Sequence, residues 1–145
     1  MVMTTISSSS SSSARCMMMM MFLVLVHHVS AKVAIYTGES LSNGDQLING
    51  AFTLSMQGDC NLVLRDSSRV VWSTGTSGKG SNCYATMQGD GNLVIYGQGA
   101  VWASNTVKGN DIYELILQED RNLVIYKGSA RKAIWDTKTY YLSSS

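Results

Sequence analysis

Three stretches of the chain set polar residues at alternate positions in the same order. They are Gln57, Asp59, Asn61, Val63 and Arg65; Gln88, Asp90, Asn92, Val94 and Tyr96; and Gln118, Asp120, Asn122, Val124 and Tyr126. The three Gln residues lie 31 and 30 positions apart. A carboxylate accepts hydrogen bonds, the Gln and Asn amides donate and accept, the Tyr hydroxyl does both, and Val can meet an apolar C–H surface. Such a set suits a neutral, polyhydroxylated ring such as a hexose. It does not suit hydrolysis, which needs two carboxylates about 5–9.5 Å apart, because each repeat carries only one motif Asp. No enzyme, metal or cofactor is expected. A solvated strand face would also be polar, but solvation does not dictate the same residue types three times over.

The elements that position these residues follow from their period. Gln88, Asp90, Asn92, Val94 and Tyr96 alternate with Gly89, Gly91, Leu93 and Ile95, which is the period of a strand. At about 3.3 Å per residue the five side chains would form a line of about 26 Å. Leu93 and Ile95, with Leu62, Leu64, Leu123 and Ile125, fall on the opposite face. There they can join Trp72, Trp102 and Trp135, which follow their repeat's Gln by 14 to 17 residues, in one core. Gly, Asn, Asp and Ser clusters such as Asn43-Gly44 separate the β-rich runs, so hairpins are expected throughout and no helix. Three repeats are too few for a propeller, and thirty residues are short for a β-trefoil unit.

Composition sets the limits around these motifs. The chain has 145 residues, 45% hydrophobic and 14% charged, with a net charge of +1. One domain fits that length, and near-neutrality gives no footprint for nucleic acid or anionic membranes. The first residues are Ser-rich, then Arg15 precedes an apolar run from Met17 to Val26, and Val29-Ser30-Ala31 follows. Ten apolar residues are too few to span a bilayer but suit a signal peptide. Residues 1–31 are therefore read as a signal peptide and 32–145 as the mature domain, secreted or vacuolar and not inserted in a membrane. Both His residues, His27 and His28, leave with the leader, as does Cys16. That removes His catalysis and His metal ligation from the domain and leaves Cys60 and Cys83 as a pair, most simply a disulfide in an oxidising compartment. Arg15 also leaves, so ten basic residues face ten acidic ones. The chain has no Asn-x-Ser/Thr acceptor for N-glycosylation.

At these residues the sequence resembles the bulb-type, or snowdrop-type, mannose-binding lectins of monocot plants, whose signature is Gln-x-Asp-x-Asn-x-Val-x-Tyr. The signature is complete at Gln88 to Tyr96 and at Gln118 to Tyr126, and the likeness runs from Ile35 to Thr137 and includes the Cys pair. The resemblance implies an all-β fold, the β-prism II, with three four-stranded antiparallel sheets in pseudo-threefold symmetry and the Trp residues at the centre. It also implies metal-free binding of terminal α-D-mannose on high-mannose glycans and a defence role. By the same resemblance Asp90 and Asn92 hold the 2-hydroxyl, Gln88 the 3-hydroxyl and Tyr96 the 4-hydroxyl, with Val94 against the ring. Asp120, Asn122, Gln118, Tyr126 and Val124 repeat those roles. In the first repeat Arg65 replaces Tyr, and a guanidinium that folds onto Asp59 would take the acceptor a sugar needs, so this site is expected to be weak or silent. Chains of this family often pair by exchanging C-terminal strands, and Thr137 to Leu142 could serve in such a homodimer. The alternative is a storage or taste-active protein whose sugar sites have decayed.

Overall fold

The computed structural model describes residues 31–142; the remainder of the expected signal peptide, Met1 to Ser30, lies outside the described residues, as does the tail 143–145. The regular structure of the described part is twelve strands: β1 (Ala34–Tyr36), β2 (Ser40–Ser42), β3 (Gln46–Asn49), β4 (Phe52–Met56), β5 (Leu62–Asp66), β6 (Arg69–Ser73), β7 (Tyr84–Met87), β8 (Leu93–Tyr96), β9 (Ala100–Ala103), β10 (Tyr113–Leu117), β11 (Leu123–Lys127) and β12 (Lys132–Asp136). They form three four-stranded sheets in the orders β3-β4-β5-β6, β2-β7-β8-β9 and β1-β10-β11-β12. Neighbours whose register is defined run antiparallel. The expected all-β prism is therefore present. Its sheets are not built from the repeats alone. Each repeat supplies three strands as a meander, and residues 34–49 supply the fourth to every sheet in reverse order, β1 to the third repeat, β2 to the second and β3 to the first.

Alternation explains the core. Leu47, Leu54, Leu62 and Leu64 from the first sheet are buried together with Leu41, Ala85, Leu93 and Ile95 from the second and Ile35, Leu115, Leu123 and Ile125 from the third, all at 0–2% exposure. Each large member contributes about 1.5–3 kcal/mol by leaving water. Trp72, Trp102 and Trp135 meet one another edge-to-face with centroids 5.9–6.2 Å apart, the packing aromatic quadrupoles favour. They bring the three sheets together, yet each stays half-buried, and the fully enclosed core is mainly aliphatic, with Tyr113 its one aromatic ring at 2% exposure among the described residues.

The same irregularity recurs in each sheet. Leu64 pairs with Trp72 and Arg65 with Val70; Ile95 pairs with Trp102 and Tyr96 with Ala100; Ile125 pairs with Trp135 and Tyr126 with Ala133. Val71, Val101 and Ile134 are thus the extra residues of β-bulges. A bulge breaks strict alternation and re-aims its neighbours. Here it lets each extra residue pack on the core beside its Trp, and it lies directly opposite the last motif residue. Cys60 and Cys83 are joined, with Cα atoms 5.2 Å apart, tying the first repeat to the start of β7. The closed loop contributes roughly 3.5 kcal/mol in the chain-entropy account.

Candidate functional site

The Gln, Asp and Asn of each motif do not lie on strands, whereas its Val and its last residue do. Gln57 to Asn61 joins β4 to β5, Gln88 to Asn92 joins β7 to β8, and Gln118 to Asn122 joins β10 to β11, so each Gln-x-Asp-x-Asn is a five-residue hairpin loop. In the second repeat the Gln88 N–H donates to the Asn92 carbonyl (3.0 Å) and the Gly91 N–H to the Gln88 carbonyl (3.1 Å), which folds the loop back on itself. The first and third loops close in the same way. The fourth loop residue is left-handed in each case: Cys60 at φ +72°, Gly91 at +93° and Arg121 at +73°. At Gly91 a Cβ would come within 2.7 Å of the Tyr113 ring, so only glycine fits there. The 26 Å line expected from alternation is therefore wrong, because strand rise does not apply through a loop. Gln88 and Tyr96 instead touch, with Gln88 Nε2 donating to the Tyr96 hydroxyl at 2.6 Å, and Gln118 Nε2 does the same to Tyr126 at 2.6 Å.

Each loop is pinned by its own Asp and Asn. Asp90 Oδ1 accepts from the Asn92 N–H at 3.0 Å, and Asp120 Oδ1 from the Asn122 N–H at 2.9 Å. Asn92 Oδ1 accepts from Ser104 Oγ (3.1 Å) and from the Thr106 N–H (3.3 Å), while Thr106 Oγ1 donates to the Gly91 carbonyl at 2.6 Å. Thr137 and Thr139 clip Asn122 and the Arg121 carbonyl in the same pattern, and Thr74 and Thr76 clip Asn61 and the Cys60 carbonyl. These Ser/Thr-x-Thr clips were not anticipated. Their signal was in the sequence, as Thr74-Gly-Thr76, Ser104-Asn-Thr106 and Thr137-Lys-Thr139, two residues past each Trp.

The clips decide which polar atoms remain. In the second loop Asn92 keeps Nδ2, a donor; Asp90 keeps Oδ2, an acceptor; Tyr96 has accepted from Gln88 and keeps its own hydrogen to donate; and Gln88 keeps Oε1. Val94 is 3% exposed and forms a small apolar floor, as do Val63 at 2% and Val124 at 3%. In the third loop Asn122 Nδ2 donates to Asp136 Oδ2 at 2.9 Å, where the second repeat has Ala103, and Arg121, where the second has Gly91, donates from Nε to the Thr139 carbonyl at 2.9 Å.

The first loop is closed by its own side chains. Arg65 does not fold onto Asp59. It reaches Gln57, whose Oε1, turned towards the guanidinium, accepts from Nη2 at 2.9 Å and Nη1 at 3.1 Å. The group that takes the spare oxygen of Asp59 is Ser77, donating from Oγ to Oδ2 at 2.7 Å. Ser77 and the Asn61 N–H hold the Asp59 carboxyl below the usual range, with Arg65 adding a smaller effect through space. Arg65 engages the Gln of its own loop, as Tyr96 and Tyr126 do in theirs, and the spare Asp59 oxygen is left to Ser77.

Thr137 to Leu142, considered above for strand exchange, folds back within its chain. The Tyr141 N–H donates to the Asp120 carbonyl, its ring meets Phe52 edge-on at 5.9 Å, and Arg121 lies 5.0 Å from its centroid. Among the described residues no group of three or more His, Cys, Asp or Glu is placed to hold a metal ion.

No protein-family model matches the chain. A mannose-specific lectin of Aloe arborescens is 39% identical over 108 residues, covering 72% of this chain and 95% of that one. A solved monomeric monocot mannose-binding lectin from Gastrodia elata is 50% identical, covers 76% of this chain and 100% of its own, and superposes with a TM-score of 0.74. The snowdrop (Galanthus nivalis) agglutinin complexed with methyl-α-D-mannoside is 46% identical over 77% of this chain and 100% of its own, with a TM-score of 0.66. The chain spans about half the length of the curated Narcissus and Galanthus lectins it matches, which are 50% identical over 62 residues. At that identity and coverage, and with the fold in common, the chain belongs to the snowdrop-type monocot mannose-binding lectin family.

Proposed function

We propose that this chain is a mannose-binding lectin with two working sites, at the second and third loops, and no catalytic activity. The observation that carries the reading is the free carboxylate oxygen. Asp90 Oδ2 and Asp120 Oδ2 have no protein partner among the described residues, whereas Asp59 Oδ2 is taken by Ser77. A sugar hydroxyl needs an acceptor and a donor at once. Asp90 Oδ2 and Asn92 Nδ2 offer both for the 2-hydroxyl of mannose, Gln88 serves the 3-hydroxyl, and Tyr96 donates to the 4-hydroxyl. Asp120, Asn122, Gln118 and Tyr126 do the same in the third loop. No step of this binding calls on a metal.

The leader 1–31 directs the chain into the secretory pathway, to the cell exterior or the vacuole, and the disulfide fits that compartment. Single shallow sites bind weakly, so useful affinity comes from several sites meeting a surface dense in high-mannose glycans, as on a fungus or an insect gut. The test is retention on mannose-agarose in the presence of EDTA, release by methyl α-mannoside, and a calorimetric stoichiometry of two per chain. A chain that passes straight through the column is a storage or taste-active protein on a decayed scaffold, and a stoichiometry of three would show the first loop to be open. Turnover of an aryl mannoside would overturn the non-enzymatic reading.

A further inference from the structure

Each clip is followed by one residue at the rim of its loop: Ser77, Val107 and Tyr140. The backbone holds all three in the same way. On one side the middle residue of the clip is left-handed, Gly75 at φ +66°, Asn105 at +58° and Lys138 at +56°, and the clip's Thr is bonded to the loop through its hydroxyl. On the other side the next N–H donates to the carbonyl of the motif Asp, from Gly78 to Asp59 at 2.8 Å, from Lys108 to Asp90 at 2.7 Å and from Tyr141 to Asp120 at 3.1 Å. With both flanks fixed, the residue between them sets out from the same place beside the Asp carboxyl in every loop. From that place Ser77 Oγ reaches Asp59 Oδ2 at 2.7 Å. Val107 carries methyl groups there, which cannot donate. The Tyr140 hydroxyl sits at the far end of its ring, well past an oxygen that an atom one bond from Cβ can reach. Both residues are exposed, at 58% and 56%.

We propose that Val107 and Tyr140 are specificity-determining residues of the second and third sites, which make each site depend on the 2-hydroxyl of the sugar. The inference rests on the mannose reading of those loops. Because neither side chain donates to the Asp oxygen, the ligand's own 2-hydroxyl must satisfy it once the sugar displaces water. A sugar without that hydroxyl leaves a carboxylate oxygen with no donor, and a site built in this way rejects the analogue more strongly than the loss of one neutral contact implies. A residue that brings a hydroxyl to the same place satisfies the oxygen from within, so the sugar gains nothing by bringing its own. The first loop shows that state, with Ser77 on Asp59. The position acts on selectivity and not on the loop's fold, since the clip and the backbone bonds make no use of its side chain.

The test uses the full chain with the third loop silenced by Asp120→Asn and Tyr126→Phe, so that a titration followed by NMR reads the second loop alone. Methyl α-mannoside is compared with its 2-deoxy analogue, and the mannoside is expected to bind at least about ten-fold more tightly. Val107→Thr keeps the branched shape and adds a donor. It should weaken methyl α-mannoside about ten-fold and the 2-deoxy analogue less than about two-fold, bringing the ratio towards one. Val107→Ala adds no donor and should keep the ratio. Tyr140→Ser should collapse the ratio of the third loop in the same way, read with the second silenced by Asp90→Asn and Tyr96→Phe. Equal affinities in the parent, a preference that survives Val107→Thr or Tyr140→Ser, or a loss of both sugars in equal measure would overturn the role of this position and leave the mannose reading intact. Failure of methyl α-mannoside to bind the parent overturns both.

Discussion

The first and second loops have one backbone and opposite fates. Both close with the same two hydrogen bonds, both turn through a left-handed fourth residue, and both are clipped at their Asn by a Ser/Thr-x-Thr pair. What separates them is two side chains at the rim. Arg65 engages Gln57 where Tyr96 leaves Gln88 one open oxygen, and Ser77 takes the Asp59 oxygen where Val107, at the matching place, cannot donate. The loop scaffold and the ligand-facing ends are therefore separate properties. The scaffold is held by backbone and clip bonds that face the fold, and it survives the loss of an open rim.

The strongest test of that separation removes the clip. Asn61→Ala and Asn92→Ala each leave the N–H of Thr76 or Thr106 without its acceptor in a half-buried place, while the neighbouring hydroxyl of Thr74 or Ser104 can then donate only to that Thr side chain. Each variant is expected to lower the unfolding free energy by about 2 kcal/mol in urea titration. Only Asn92→Ala should also remove a mannose site, taking the calorimetric stoichiometry from two to one. A loss of stability confined to one loop would break the equivalence of the two scaffolds. The next test opens the closed rim. Arg65→Tyr with Ser77→Val should give Gln57 a phenol partner and free Asp59 Oδ2, raising the stoichiometry from two to three with little change in stability. A count that stays at two would mean that more than these two side chains closes the loop.

Much of this was legible before any coordinates. The inward rows Leu62 and Leu64, Leu93 and Ile95, and Leu123 and Ile125 follow from strict alternation, and the pairing of Cys60 with Cys83 from their being the two cysteines of the expected mature domain. The loop was not legible, for a physical reason. Gln, Asp and Asn keep a period of two through residues 88–92, so alternation runs on past the end of the strand. Gly91 hints at the turn, but Cys60 and Arg121 hold the same left-handed position and hide it. The edge strands were hidden too, because β1, β2 and β3 belong by sequence to none of the repeats they complete. Arg65 stands out in the sequence as the residue that departs from the motif, yet its partner is Gln57 and not Asp59. Which oxygen a long guanidinium reaches depends on the loop's fold, and Ser77 lies eighteen positions from the Asp it caps.

Smaller effects separate the two open loops. Asp136 draws one hydrogen of the Asn122 amide that Ala103 leaves free on Asn92. Asp136→Ala is expected to strengthen methyl α-mannoside binding at the third loop about three-fold, within the range of a single hydrogen bond, and to leave the second loop unchanged. Unchanged binding at the third loop would show that the second hydrogen of the Asn122 amide is sufficient for the sugar.

The smallest effect concerns the closed loop and is read by pH. Hydrogen bonds from Ser77 and the Asn61 N–H favour the charged form of Asp59 in the folded chain, so its proton is lost at a lower pH than in the unfolded chain. A group lowered in this way stabilises the fold above the ordinary carboxylate range, and that contribution disappears as the pH falls through the lowered folded value. Ser77→Ala removes the larger cause and keeps the smaller one. The Asp59 midpoint, followed by carboxyl-carbon NMR, should therefore move up towards the ordinary value without reaching it, and acid weakening of the loop should begin at a higher pH. Because Arg65 stays on Gln57 in this variant, the Asp59 oxygen becomes free while the amide remains taken. A faint mannose response at the first loop of Ser77→Ala would then place the closure mainly on Ser77, and silence would place it on Arg65.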